Sequence, residues 1–147
     1  MSLRIREDRQ RFTFYRLSGP ERGEVKRKLL EALLPREEVL AALIYGSFIS
    51  SPVFRDIDVG VLTGGKVSYK ELPYYEETLS DELSRIIGIP VDVRVIDYAP
   101  PWFRAKVLEG EVLLERSPGM VSIMRFVVDQ IQRDFEAVIG TALRKVA

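Results

Sequence analysis

The chain of 147 residues contains no cysteine and no histidine. Without cysteine there is no disulfide framework, no thiolate nucleophile and no Cys-based metal site. Without histidine, Ser-His-Asp and Cys-His catalysis are excluded, together with ordinary zinc sites. Asparagine is missing as well, while charged residues reach 30%. Few thermolabile side chains among many charges point to a thermophile. Neither sign of charge prevails, with 22 Lys plus Arg against 22 Asp plus Glu. The chain as a whole is therefore not drawn to nucleic acid or to an acidic membrane, and any electrostatic function must be local. No apolar run approaches the roughly 20 residues of a membrane span. Residues 1–10 lack a signal-peptide core, so a cytoplasmic protein is expected. The chemistry left to this chain runs on carboxylates, Lys, Arg, Tyr, Ser and hard metals.

What is present is a chain apolar enough to fold, at 46% hydrophobic residues, and short enough for one domain over 1–147. The expected division is an N-terminal strand or arm over 1–20, a core over 24–116 and a C-terminal helix over 120–146. LRIREDRQRFTFYRL (3–17) carries Arg4, Arg6, Arg9, Arg11 and Arg16 against Glu7 and Asp8. Its RFTFYRL half is strand-like, an edge strand or an arm that contacts a substrate. SGPERG (18–23) reads as a turn. Glu24 to Leu34 reads as an amphipathic helix with Val25, Leu29, Leu30, Leu33 and Leu34 on one face.

VLAALIY (39–45) is apolar throughout, as suits a strand covered on both faces. Residues 56–62 form a second strand and 91–96 a third, which alternates. A helix from about Pro73 to Ile87 lies between them, ended by Gly88 and Pro90. A short helix over 100–110 leads to a fourth strand over 111–116. Met120 to Val146 is a long amphipathic helix, with Val121, Met124, Val128, Ile131, Phe135, Val138, Ala142 and Val146 at helical spacing. The order predicts an α/β (α+β) fold, a small mixed sheet with helices packed on it. The first two strands, with no long helix between them, are expected to be antiparallel neighbours.

The chemistry is concentrated in YGSFISSPVFRDIDVGVL (45–62). On a strand, residues i and i+2 share a face, so Asp56 and Asp58 project together while Ile57, Val59 and Val61 point into the core. Paired carboxylates repel, and either a shared proton or a cation between them relieves the repulsion. Oxygen ligands with no soft donors nearby suit magnesium. Asp92 repeats the pattern in VDVRVI, sharing a face with Arg94. If its strand lies beside the Asp-Ile-Asp strand, three carboxylates converge. Three acids can hold two magnesium ions about 3.5–4 Å apart, an arrangement that runs in-line phosphoryl transfer. Gly46 and Ser47 close the first strand, where backbone N–H groups and a hydroxyl can meet a phosphate. Arg55 stands next to the acid pair, within reach of a phosphate or an acceptor.

In this order and spacing, the sequence resembles the DNA polymerase beta-like nucleotidyltransferase superfamily. Within it the chain is most similar to the minimal nucleotidyltransferases, including the antitoxins paired with HEPN-domain partners. The resemblance rests on Gly46-Ser47, on Asp56-Ile57-Asp58, on the acid of PVDV (90–93) and on VIDYAPPWFRAKVLEGEVLLER (95–116). It spans roughly residues 36–145. It implies that Asp56 and Asp58 bind both magnesium ions, and that Asp92 binds the second and helps to activate an acceptor hydroxyl. It also implies that Gly46 and Ser47 hold the β- and γ-phosphates of a nucleoside triphosphate, with ATP the family's commonest choice. One departure is FISSPVFR (48–55), shorter than the family's usual loop and without its glycine, which bears on acceptor and base preference.

Three functions follow. One is transfer of AMP to a hydroxyl on a partner, such as a tyrosine of a HEPN-type toxin. Another is a binding module that neutralises a partner by contact or pairs with itself, through the long helix and through Tyr74, Tyr75, Trp102 and Phe103. The third is a small-molecule nucleotidyltransferase, whose usual extra acceptor region 147 residues hardly accommodate.

Overall fold

The computed structural model describes residues 13–146. The arginine-rich stretch over 1–12 lies outside the described residues. The elements are α1 (Gly19–Leu33), β1 (Ala41–Tyr45), α2 (Ser47–Ser50), β2 (Ile57–Leu62), a 3-10 turn (Tyr69–Glu71), α3 (Leu72–Ile87), β3 (Val91–Val95), α4 (Pro101–Leu108), β4 (Glu111–Glu115) and α5 (Met120–Val146).

The four strands form one mixed sheet in the order β3-β2-β1-β4. β1 is antiparallel to both β2 and β4, as expected for the first pair, and β2 runs parallel to β3. β1 is buried over its whole length because it is central and covered on both faces. On one face Ala42, Ile44, Val59, Val61, Val91 and Val93 pack against Leu29 and Leu33 of α1 and Leu79 and Leu83 of α3. On the other, Ala41, Leu43 and Tyr45 meet Val107 and Leu108 of α4 and Val121 of α5. The alternation of β2 and β3 puts their valines on the first face and leaves Asp58, Asp92 and Arg94 on the second.

Two expectations are corrected. SGPERG is no turn. Ser18 caps α1, its hydroxyl accepting from Glu21 N at 3.2 Å while its own N–H donates to the Glu21 carboxylate at 2.9 Å. This capping box satisfies two helix-end groups at once, and Pro20 suits the first turn, so α1 starts at Gly19 rather than Glu24. The strand read in RFTFYRL is, among its described residues, a single bridge between Tyr15 and Phe54, with N–H···O distances of 2.8 and 3.1 Å. Aromatic and β-branched residues favoured a strand there, but among the described residues no partner strand extends that bridge.

The C-terminal helix has the expected span, but its apolar stripe is covered only at the start. Val121 is buried and Met120, Met124 and Val128 pack beside it, whereas Ile131, Phe135, Val138 and Val146 are exposed. No helix among the described residues is long and apolar enough to cross a membrane.

Candidate active site

The site is assembled at one end of β1, β2 and β3. The parallel register places Asp58 directly opposite Asp92, and the antiparallel register places Tyr45 opposite Asp58. Asp56 lies just ahead of β2, and its charge still reaches Asp58. Burial pushes the Asp58 carboxyl up to about 6, reinforced by the negative charges of Asp56 and Asp92 and partly offset by Lys106 and Arg94. The Tyr45 phenol is pushed up as well, by burial first and then by Asp58 and Asp92. Asp92 pairs with Arg94 at 3.4 Å, and the Arg94 guanidinium is raised mainly by that neighbour.

Gly46 follows β1 with φ 78° and ψ −155°, a conformation that side-chain-bearing residues all but never adopt. A Cβ there would run into the Asp58 carboxylate. The glycine therefore sets the approach of the backbone to the acids. Ser47 opens the one-turn helix α2, and the Gly46 carbonyl accepts from the N–H groups of Ile49 and Ser50, both at 3.1 Å. Arg55, by contrast, has its guanidinium over the Phe14 ring, 5.5 Å from the centroid.

A cleft of about 510 Å³ opens on Asp58 and Asp92, though not on Asp56, Gly46, Ser47 or Arg55, and is a fitting size for a small ligand. Asp58, Asp92, Arg94 and Tyr45 lie at its polar end, and Tyr69, Tyr98, Trp102 and Phe103 supply aromatic walls. Tyr69 and Trp102 are 72% and 70% exposed, so these rings are not core. Phe103 instead leans edge-on against Tyr45, at 5.9 Å between centroids. Lys106 of α4 is a lining residue that the sequence reading did not single out. Its signal was available, since it lies one turn after Trp102 and Phe103. A larger depression of about 750 Å³, between Leu17–Arg22 and residues 49–52, contains none of the acids. Chemistry, not size, selects the cleft.

The acids offer oxygen donors only, and Asp58, raised by burial and then by the charges of Asp56 and Asp92, stands among them, which fits a hard divalent cation. Among the described residues no three acidic side chains already close round a metal position. Asp92 is drawn to Arg94 instead.

Hydrogen bonds brace the opposite ends of β2 and β3, away from the acids. Asp97 accepts from Thr63 N at 2.8 Å, Thr63 Oγ1 at 3.1 Å and Gly65 N at 2.7 Å, tying the turn after β2 to the end of β3. Glu76 of α3 accepts from Val95 N at 3.0 Å, supplying a partner on the open edge of β3.

A mixed sheet with a glycine-serine turn after one strand and acids on the next two defines a nucleotidyltransferase fold. The family model of polymerase beta nucleotidyltransferases matches residues 27–119. The chain belongs to that family. Among solved structures it is similar to a chain of a toxin–antitoxin structure with AMP-PNP, at 15% identity and a TM-score of 0.65. That match covers 82% of this chain and 97% of the other. It is also similar to a chain of the complex between the tri-AMPylated Shewanella oneidensis HEPN toxin and its MNT antitoxin, at 15% identity and a TM-score of 0.62, covering 85% and 98% of the two chains. A chain of the MntA–HepT toxin–antitoxin complex matches at 14% identity and a TM-score of 0.62, covering 84% and 97%. Comparison with curated protein sequences finds no match. The resemblance read from the sequence therefore holds at the level of fold and family.

Proposed function

We propose that this protein transfers AMP from ATP to a hydroxyl acceptor on a HEPN-type partner protein, and so acts as the antitoxin of a cytoplasmic toxin–antitoxin pair. The observation that carries this reading is the register of Asp58 against Asp92 at the floor of an aromatic cleft. Gly46 and Ser47 hold the β- and γ-phosphates, and Arg55 swings from Phe14 to the triphosphate. The leaving pyrophosphate then lies on the β1 side of the acids. In-line displacement puts the attacking hydroxyl on the opposite side, beside Asp92 on β3. The acceptor oxygen bonds to the α-phosphorus, the bond to the pyrophosphate oxygen breaks, and Asp92 takes the hydroxyl proton. Asp56, Asp58 and Asp92 are the residues that would hold two magnesium ions. Such ions, when bound, neutralise phosphate charge and align nucleophile with leaving group. Tyr69, Tyr98 and Trp102 offer flat apolar faces to a phenolic acceptor, which fits a tyrosine side chain.

The test is incubation with magnesium and α-labelled ATP, alone and with the product of the adjacent gene. Label on a protein band with wild type and none with Asp56→Ala/Asp58→Ala is the expected result. No label in any lane, with the partner present and ATP binding retained, would sink the enzymatic reading.

A second reading has its own observation. The exposed apolar side of α5 at Ile131, Phe135 and Val138 offers a surface for a partner or a second copy. If Asp58→Ala keeps the full biological effect, contact alone is sufficient.

A further inference from the structure

The tight loop after Gly46-Ser47 has no glycine to turn it and is held from outside. α2 is a single turn, so its last carbonyls have no partner within the helix. The guanidinium of Arg22, half-buried, supplies them. Its Nη1 donates to Phe48 O, and its Nη2 donates to Ser51 O and Pro52 O, both at 3.1 Å. Its Nε donates to Leu17 O at 3.3 Å. The same plane lies over two rings, 4.9 Å from the centroid of Phe48 and 5.2 Å from that of Phe54. Phe48 and Phe54 in turn meet edge-on at 4.9 Å. One side chain from α1 thus grips both ends of the loop that carries Gly46 and Ser47 to the acids.

We propose that Arg22 is a positioning residue for the nucleotide: it fixes the 47–54 loop so that Gly46 and Ser47 present the triphosphate to Asp56 and Asp58. This rests on the nucleotidyltransferase reading of the site above. The chemistry favours arginine over lysine. A guanidinium has five donors in a flat fork and can stack on two rings while bonding to several carbonyls, whereas an ammonium is a point donor on a flexible stem. The capping box at Ser18 starts the helix that aims Arg22, so the brace runs from Ser18 through Arg22 to the phosphate-binding turn. Arg22 touches no reacting atom, and its effect belongs in nucleotide affinity and KM more than in the fold.

The experiment uses the full chain as wild type, Arg22→Lys, Arg22→Ala and, as control, Lys26→Ala. Lys26 lies one turn further along α1 and, among the described residues, pairs with the surface Glu111. Binding of a non-hydrolysable ATP analogue with magnesium is measured by calorimetry, and amide hydrogen exchange is followed over residues 46–54. Circular dichroism and melting show which variants fold. Arg22→Lys is expected to stay folded, to bind the analogue roughly tenfold more weakly and to lose amide protection in the loop alone, with Lys26→Ala unchanged. Wild-type affinity and wild-type loop protection in a folded Arg22→Lys or Arg22→Ala would overturn the inference. If wild type itself binds no analogue, the nucleotide reading fails, and the positioning role fails with it. Loss of loop protection in Arg22→Lys would then leave Arg22 as a brace of the loop alone.

Discussion

Asp58 and Asp92 face each other across the parallel pairing of β2 and β3, and the charge of Asp92 bears on the Asp58 carboxyl. Burial is the main cause that lifts the Asp58 carboxyl to about 6, and Asp56 and Asp92 add to it. The folded protein therefore keeps a proton on Asp58 where the unfolded chain has released it. The associated stability is full below an unfolded-state value of 3.8 and is lost as pH rises through about 6.

Asp58→Asn should remove that pH dependence. In the absence of divalent cations the wild type should lose about 1–2 kcal/mol between about pH 4 and pH 6.5, allowing for solvent screening of a part-exposed group. Urea unfolding of both proteins across that range measures it. Parallel stability curves for wild type and variant would contradict the assignment.

Cation binding should compete with the same proton. Magnesium is expected to raise the melting temperature of the wild type more at about pH 7.5 than at about pH 5, with proton release on binding. Asp92→Asn should weaken this effect, because one of the proposed oxygen ligands loses its charge. Equal magnesium shifts at both pH values would argue against these aspartates as ligands.

Gly46→Ala should damage the site and the fold together. The backbone conformation at this position costs a side-chain-bearing residue about 1–3 kcal/mol, and the added methyl meets the Asp58 carboxylate. Thermal unfolding and ATP-analogue binding should both show a loss. Binding as tight as wild type would mean that the turn relaxes without disturbing the acids.

Trp102 is the chain's single tryptophan and stands at the mouth of the cleft. Trp102→Ala should change stability by no more than about 0.5 kcal/mol, as an exposed position. Transfer to the acceptor should fall roughly tenfold while nucleotide affinity is kept. Intrinsic fluorescence of the wild type should respond to the acceptor and little to ATP. The reverse pattern would make the aromatic wall a nucleobase platform.

Arg116 serves the core at a distance from the acids. Its Nε donates to Val39 O at 2.8 Å and its Nη2 to Leu34 O at 2.9 Å and Arg36 O at 2.8 Å, closing the end of α1 onto the sheet. Arg116→Ala should cost about 2–3 kcal/mol in chemical denaturation, with these carbonyls left short of partners. A smaller loss would mean that water replaces the guanidinium.

The acids were legible because a strand alternates faces. Val59, Val61, Val91 and Val93 name the buried side, which leaves Asp58 and Asp92 no choice of direction. The strand pairing of β1 with β2 followed from the short connection between them. The capping box was legible too, as Ser18 followed three residues later by Glu21, but Gly19, Pro20 and Gly23 read first as a turn. What the sequence could not carry was contact across long separations. Nothing local shows that Arg22 reaches Pro52, or that Tyr69, Tyr98 and Trp102 wall one cleft. Nor does periodicity say where packing stops. Phe135 and Val138 fit the same helical stripe as Val121, yet only the first turns of α5 have the sheet and α4 to cover them.

The side-by-side pairing of β2 and β3 also polices assembly. Ile57, Val59 and Val61 share their strand with Asp58, on a two-residue repeat. Sliding either strand by one position would send carboxylates into the apolar layer and valines into the cleft. The chain thus has no cheap way to fold around a misaligned centre. A molecule that has packed its interior has, by that act, already lined up its acids.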